Sequence, residues 1–405
     1  MNSEVFAHFD SSPPAVENGG GLAGKRAAVQ SLIGVRGWPT AAGSKALGGF
    51  VPLEDATVVQ RLRAEGALLV GNTPTSELGL GICGDGAARA VPEGQADVAL
   101  MLDTLGEARV AAARAGLCGF KPSWGRVSRF GLMGLVPSME CCSLLARNPK
   151  DLARVFQVVQ CMDECDPSMV AAEMPKNQTQ NGLQKKDLTA GIATRLIEAL
   201  SPEERSAFSK ALAKLQRSGV AIREVKFEDE GLFSLVHQVI GTVEASSSCG
   251  KYDGVRFGHR AQGAKNWNEM YLETRRESFS PLLKTFLFQG AYFQFENYPA
   301  FENACRIRAR LVHESRKLFE SLDLMLLPTQ STIHNAARAQ SLEQLYNAFS
   351  LTLPANVTGQ PALSLPGLIK CGGQDTGLQV VGPFLGDEKL LSWAQTLIVQ
   401  GEEAA

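Results

Sequence analysis

The stretch from Ala56 to Gly71 constrains the architecture more than any other. Residues Ala56 to Glu65 place apolar side chains at helical spacing, Gly66 supplies a stop, and Ala67-Leu68-Leu69-Val70-Gly71 follows as a short apolar run of the kind that forms a buried strand. This is one helix–strand unit of a layered sheet. Short apolar strands, glycine-rich turns and alanine-rich helices alternate in the same way from Arg26 to about Val159, which is the pattern of an α/β domain.

Downstream, residues 166–187 are polar and read as an exposed linker. Helix returns from Leu188 to Arg223, with a start at Ser201-Pro202-Glu203-Glu204: a capping serine, proline at the first helical position and acids in the first turn. Ala221 to Val225 alternates as a strand does, and residues 244–322 hold helical patterns, amphipathic from Ala304 to Leu322. Strands are expected at Asp323–Thr329, Leu363–Pro366 and Gly377–Gly382, and a closing helix at Asp387–Val399. With 405 residues, 44% of them hydrophobic, the chain can bury a large core.

A formal net charge of -2 excludes a broad electrostatic grip on nucleic acid, so no strong direct nucleic-acid binding is expected. Nine scattered cysteines read as reduced interior thiols. Cys161 and Cys165, a helical turn apart, have no second pair or histidine cluster to complete a metal site, and neither metal nor cofactor is expected. No apolar run reaches the roughly 18 residues of a membrane span. Residues 1–25, rich in Gly, Ser and Pro and with no arginine, are expected to be a flexible arm unlike an Arg-rich transit peptide.

Several blocks are more specific. Gly34-Val35-Arg36-Gly37-Trp38-Pro39-Thr40, Gly49-Phe50-Val51-Pro52, Asp55 to Val59 and Gly71-Asn72-Thr73 come first. Asp103-Thr104 with Gly106 and Arg109, Cys118 to Ser123, Gly125 to Ser128 and Gly131-Leu132 follow in order. Together they resemble the amidase signature family. Glu244 to Ser247, Tyr252 to Gly258, Thr274-Arg275, Pro354-Ala355-Asn356, Gly359 to Ala362 and Gly377 to Gln379 resemble one branch of it, the A subunit of the glutamyl-tRNA(Gln) amidotransferase.

The resemblance implies an amidase-signature fold over residues 26–405, with a mixed central sheet covered by helices and a mainly helical insertion at about 188–322. It also implies a lysine that takes a proton through a bridging serine, so that a second serine can attack a carboxamide while backbone N–H groups hold the oxyanion. This chain departs from that pattern. Gln30 falls where the lysine is expected, Gly84 where the bridging serine is expected after an apparent deletion, and Glu107 at the nucleophile. Phe349 falls where the branch has an aspartate that holds the amino group of glutamine, while Arg275 matches the residue that meets the substrate carboxylate.

Cys83, one place before Gly84, is an outside candidate for a nucleophile, though an inert buried thiol is the commoner case. Glu107 reads best as a solvated glutamate in a remodelled loop; the other reading is a carboxylate that fills the old oxyanion nest. Gly79-Leu80-Gly81-Ile82-Cys83-Gly84 has the letters of a dinucleotide fingerprint but not its strand–turn–helix setting. His313-Glu314 lacks the second histidine of a zincin, and His237 has no partner pattern. Arg109, Lys121 and Arg126 read as structural hydrogen-bonding residues.

The expectation is therefore a catalytically inactive, amidase-like protein that serves as a structural or assembly component among protein subunits of a larger complex. That complex would be amidotransferase-like, a mitochondrial ribosome or a membrane complex. The implied compartment is the mitochondrion, ahead of plastid or cytoplasm. The alternative is an active amidotransferase subunit or amidase that hydrolyses a carboxamide such as glutamine with a non-standard nucleophile.

Overall fold

The computed structural model describes residues 5–13, 19–82, 86–170, 188–226 and 231–402, the last five of these by backbone alone. Its strands are β1 (His8–Phe9), β2 (Arg26–Gln30), β3 (Leu68–Thr73), β4 (Val98–Asp103), β5 (Cys118–Lys121), β6 (Cys141–Ala146), β7 (Thr189–Ala193), β8 (Ala221–Val225), β9 (Leu324–Pro328), β10 (Ala362–Leu365), β11 (Lys370–Cys371), β12 (Gln374–Asp375) and β13 (Leu378–Val381). Its α-helices are α1 (Thr57–Ala64), α2 (Gly86–Ala90), α3 (Glu107–Arg114), α4 (Pro149–Val159), α5 (Thr194–Glu198), α6 (Pro202–Arg217) and α7 (Leu232–Ser248). They continue with α8 (Trp267–Ser278), α9 (Pro281–Phe295), α10 (Tyr298–Leu318), α11 (Leu342–Ala348), α12 (Leu353–Thr358) and α13 (Asp387–Glu402).

Eleven strands form one mixed sheet in the order β1-β3-β2-β4-β6-β5-β10-β13-β9-β7-β8, and β11 and β12 form a separate small ribbon. Parallel pairing joins β2 to β3 and β4 at one end, and β7 to β8 and β9 at the other; the centre is antiparallel. The strands read as continuous apolar runs because both faces are covered, so alternate residues enter different cores. Val98 and Leu100 of β4 join α1, α4, α6 and α13 on one face, while Ala99 and Met101 join α2, α3, α7, α9, α10, α11 and α12 on the other.

The helix–strand unit that points to the fold class forms as expected. Gly66 takes the left-handed backbone that stops α1, at φ +83°. The start of α6 carries a complete capping box between Ser201 and Glu204 with Pro202 in the first turn.

Two expectations need correction. The first residues are not a free arm where they are described: His8 and Phe9 pair with Asn72 and Gly71 as an edge strand, and Val5, Phe6 and Leu22 are buried. Apolar side chains spaced among the glycines gave those residues something to bury. The insertion at 188–322 is mainly helical, but residues 189–193 form a strand where helix was expected to return from Leu188. It opens with β7, α6 and β8, a parallel unit that extends the main sheet through β7 and β9. Part of the linker, residues 171–187, lies outside the described residues.

Candidate functional site

The candidate site lies where β4 ends and α3 begins. Gly106 joins the two at φ +131°, and a Cβ there would overlap the Thr352 side chain, so only glycine fits the turn. The turn aims its backbone N–H groups at one point, which the Glu107 carboxylate occupies. Its Oε2 accepts from Thr104 (2.7 Å), Leu105 (2.7 Å) and Gly106 (3.1 Å), and its Oε1 accepts from Gly81 (3.2 Å). Glu107 is 1% exposed. The solvated reading is thus overturned, because four backbone donors compensate much of the desolvation that water would otherwise prevent.

Burial, followed by the nearby Asp103 carboxylate, pushes Glu107 up to about 7, against the pull of the backbone donors around it. Asp103 goes the other way. Burial alone would raise it, but the Arg109 guanidinium and the hydrogen bonds to it hold its carboxyl below the usual range. Arg109 donates to both Asp103 oxygens (3.0 and 2.9 Å), to Gln379 Oε1 (2.6 Å), to Asn356 Oδ1 (2.5 Å) and to the Thr352 carbonyl (3.0 Å), with its side chain fully buried. Arg109 is structural, as expected. So is Lys121, whose Nζ donates to the Pro122 carbonyl at 2.9 Å.

A second ring of contacts encloses the turn. His237 of α7 holds Tyr346 Oη at 2.9 Å through Nδ1 and the Thr104 carbonyl at 3.0 Å through Nε2. The carbonyl contact fixes Nε2 as the donor, and burial drives the imidazole down to about 3, so it is neutral. Sequence reading gave His237 no role because its partners lie 133 and 109 residues away. No spacing rule reaches that far.

The remaining expected positions fall as follows. Gln30, at the end of β2, is buried and accepts the Leu102 N–H at 3.0 Å through Oε1. It lines a cavity of about 10 Å³, room for about one water molecule, together with Ser76, Gly81, Ile82, Ala87 and Met101. Among the described residues no lysine lines this cavity, and the Ser76 hydroxyl donates to the Gly81 carbonyl at 2.6 Å. Cys83 and Gly84 lie outside the described residues.

Phe349 is fully buried, and its carbonyl accepts from the Thr352 hydroxyl (3.0 Å), which also bonds the Leu105 carbonyl (2.7 Å). It therefore backs the Glu107 turn as wall. Among the described residues Arg275 makes no hydrogen bond to the residues of the Glu107 turn. It sits half-buried on α8, donates to the Cys249 carbonyl at 2.6 Å and lies over the Tyr271 and Phe279 rings.

A model of the amidase family matches residues 7–85 and 83–391. The chain belongs to the amidase family. The two matched stretches meet at 83–85, the loop that carries Cys83 and Gly84. The A subunit of the glutamyl-tRNA(Gln) amidotransferase from Natronomonas pharaonis is 33% identical over 96% of this chain and 98% of that one. The corresponding protein of Symbiobacterium thermophilum is 30% identical over 95% of this chain and 85% of its own. Among solved structures, the A subunit from Thermotoga maritima has a TM-score of 0.77 at 25% identity, covering 97% of this chain and 87% of that one. A crystal structure of an amidase has a TM-score of 0.76 at 28% identity, covering 94% and 85%. This family chain thus has the expected α/β fold, a large mixed sheet between helical layers.

Proposed function

We propose that this amidase-family chain is a catalytically inactive relative of the amidotransferase A subunits, acting as a structural or assembly component of a larger complex. The observation that carries the reading is the Glu107 carboxylate, which accepts the Thr104, Leu105, Gly106 and Gly81 N–H groups. In amide hydrolysis such donors stabilise an oxyanion that develops on the substrate; a resident carboxylate keeps them saturated.

Gln30 supports it, because a carboxamide can neither take nor return a proton near neutral pH where the resemblance expects a lysine. The cavity beside Gln30 has room for about one water molecule among the described residues. Loss of every member of a coupled catalytic unit leaves only background rates. The buried Asp103–Arg109–Asn356–Gln379 network, by contrast, is kept whole, as a scaffold with a binding role requires.

The partners proposed are protein subunits, by analogy with relatives that are named as subunits, and the compartment proposed with them is the mitochondrion. Ammonia release from glutamine is the test of inactivity, measured on the purified chain with and without co-purified proteins. No release above the protein-free rate is expected. Release that Cys83→Ala or Glu107→Gln abolishes would establish a working amidase with an unusual nucleophile. Affinity purification from the native source, read by mass spectrometry, tests the partner and the compartment.

A further inference from the structure

The loop that leads into α8 collects exposed positive charge. Residues 251–265 carry Lys251, Arg256, Arg260 and Lys265, all exposed, against a single acid, Asp253, whose carboxylate accepts the Val255 N–H at 2.8 Å. Among the described residues none of these four cations has an ion pair, whereas the neighbouring carboxylates are taken: Glu277 holds Lys45 and His259, and Glu273 holds Arg276. Like charges left together repel one another in the free chain, and an anionic partner relieves that repulsion.

Contacts on both sides hold the loop in place. Gly258 lies against Ala46 at φ +55°, where a Cβ would overlap the Ala46 carbonyl, and the Ala261 N–H donates to Thr274 Oγ1 of α8 at 3.0 Å. Gly254 packs on the same threonine and beside the Arg260 backbone, which sets the turn carrying Val255 and Arg256 next to Arg260. The Arg260 guanidinium lies 5.9 Å over the Trp267 ring, and Lys251 Nζ lies 5.3 Å over the Tyr252 ring. These contacts say which anion fits. A single-stranded nucleic acid stacks its bases on open rings, yet Trp267, 59% exposed, already carries a guanidinium, and the chain's net charge of -2 repels a long polyanion. A guanidinium laid on a ring keeps its N–H edge for a carboxylate. Val255, 47% exposed beside Arg256, adds an apolar contact.

We infer that the surface of residues 251–267 docks an acidic segment of a partner protein, with carboxylates on Lys251, Arg256, Arg260 and Lys265 and an apolar side chain against Val255 and Trp267. That the partner is a protein rests on the proposed role as a complex component; that it is acidic comes from this surface alone.

Fluorescence anisotropy of a labelled peptide of glutamates around a central leucine, added to the full chain, should show saturable binding that weakens as salt rises. The same peptide with glutamines in place of the glutamates should not bind. Arg256→Glu combined with Arg260→Glu should weaken binding by about tenfold or more, because like charges then meet across the interface. Arg256→Gln alone, a milder change at an exposed side chain, should weaken it by about two- to fivefold with the thermal unfolding midpoint unchanged. Proteins that co-purify with the chain should be displaced by the glutamate peptide and not by the glutamine one. Absence of binding, equal binding of the two peptides or indifference to the substitutions overturns the inference. So does single-stranded RNA that binds more tightly than the glutamate peptide, or a co-purified protein that the glutamate peptide leaves in place. If no protein co-purifies, the role as a complex component fails, and the peptide titration still decides whether the surface takes acidic chains.

Discussion

Among single residues, two buried titratable groups pull the stability in opposite directions. Glu107 has its carboxyl raised from 4.5 to about 7 in the folded chain, so the stability it contributes is full below 4.5 and is lost as pH rises through 7. That difference is worth about 3 kcal/mol. His237 is lowered from 6.5 to about 3, so its contribution is full above 6.5 and is lost as pH falls toward 3, by about 5 kcal/mol. Between pH 4.5 and 6.5 the two contributions oppose each other. Urea unfolding across this window should therefore show a flatter profile for the native chain than for either variant. Glu107→Gln should leave a profile that falls toward acid, and His237→Gln one that falls toward alkali. Glu107→Gln should also lower stability by about 1–3 kcal/mol at neutral pH, because its amide NH₂ faces a backbone donor that the carboxylate had satisfied. Parallel profiles for all three chains would contradict these assignments.

Among the elements, the joint between β4 and α3 decides whether the nest exists. Gly106→Ala places a Cβ against Thr352 in a backbone conformation that L residues rarely adopt, and a loss of about 3 kcal/mol or more is expected. Hydrogen exchange should then show faster exchange at Thr104, Leu105 and Gly81, whose donors the displaced carboxylate would no longer hold. A cap makes the contrast. Ser201→Ala removes the acceptor for the Glu204 N–H at the start of α6, and should cost about 1 kcal/mol without touching those amides.

Across the whole molecule, Arg109 ties together parts of the chain far apart in sequence. It joins Asp103 of β4 to Asn356 of α12 and Gln379 of β13, and the sheet continues from there through β9 into β7 and β8. Arg109→Ala would leave Asp103 buried and unpaired, a change that typically destabilises by about 3–5 kcal/mol. Because the network spans both halves of one sheet, near-ultraviolet and far-ultraviolet circular dichroism should lose signal together at a lowered midpoint. Separate transitions for residues 26–159 and for the rest would show that the sheet does not unfold as one unit.

At several elements the outcome depends on contiguous residues, and there the amino-acid order was enough to read it. The α1 stop at Gly66, the capping box at Ser201 and the apolar strands β3 and β9 are set by local sterics and periodicity, and these announced a layered α/β fold. Motif order carried the family, and it placed Gln30, Glu107 and Phe349 close to one another before any coordinates. What Glu107 does there emerged only from the folded chain, because whether a glutamate is solvated or buried depends on donors brought from Gly81 and on walls brought from α7, α11 and α12. Folding likewise revealed that His237 supports the Thr104 turn, that Arg275 bonds the Cys249 carbonyl, and that residues near the N-terminus complete the sheet edge. The physical reason is the same in each case: burial and hydrogen-bond partnership are set by residues many tens of positions away, and periodicity carries no record of them.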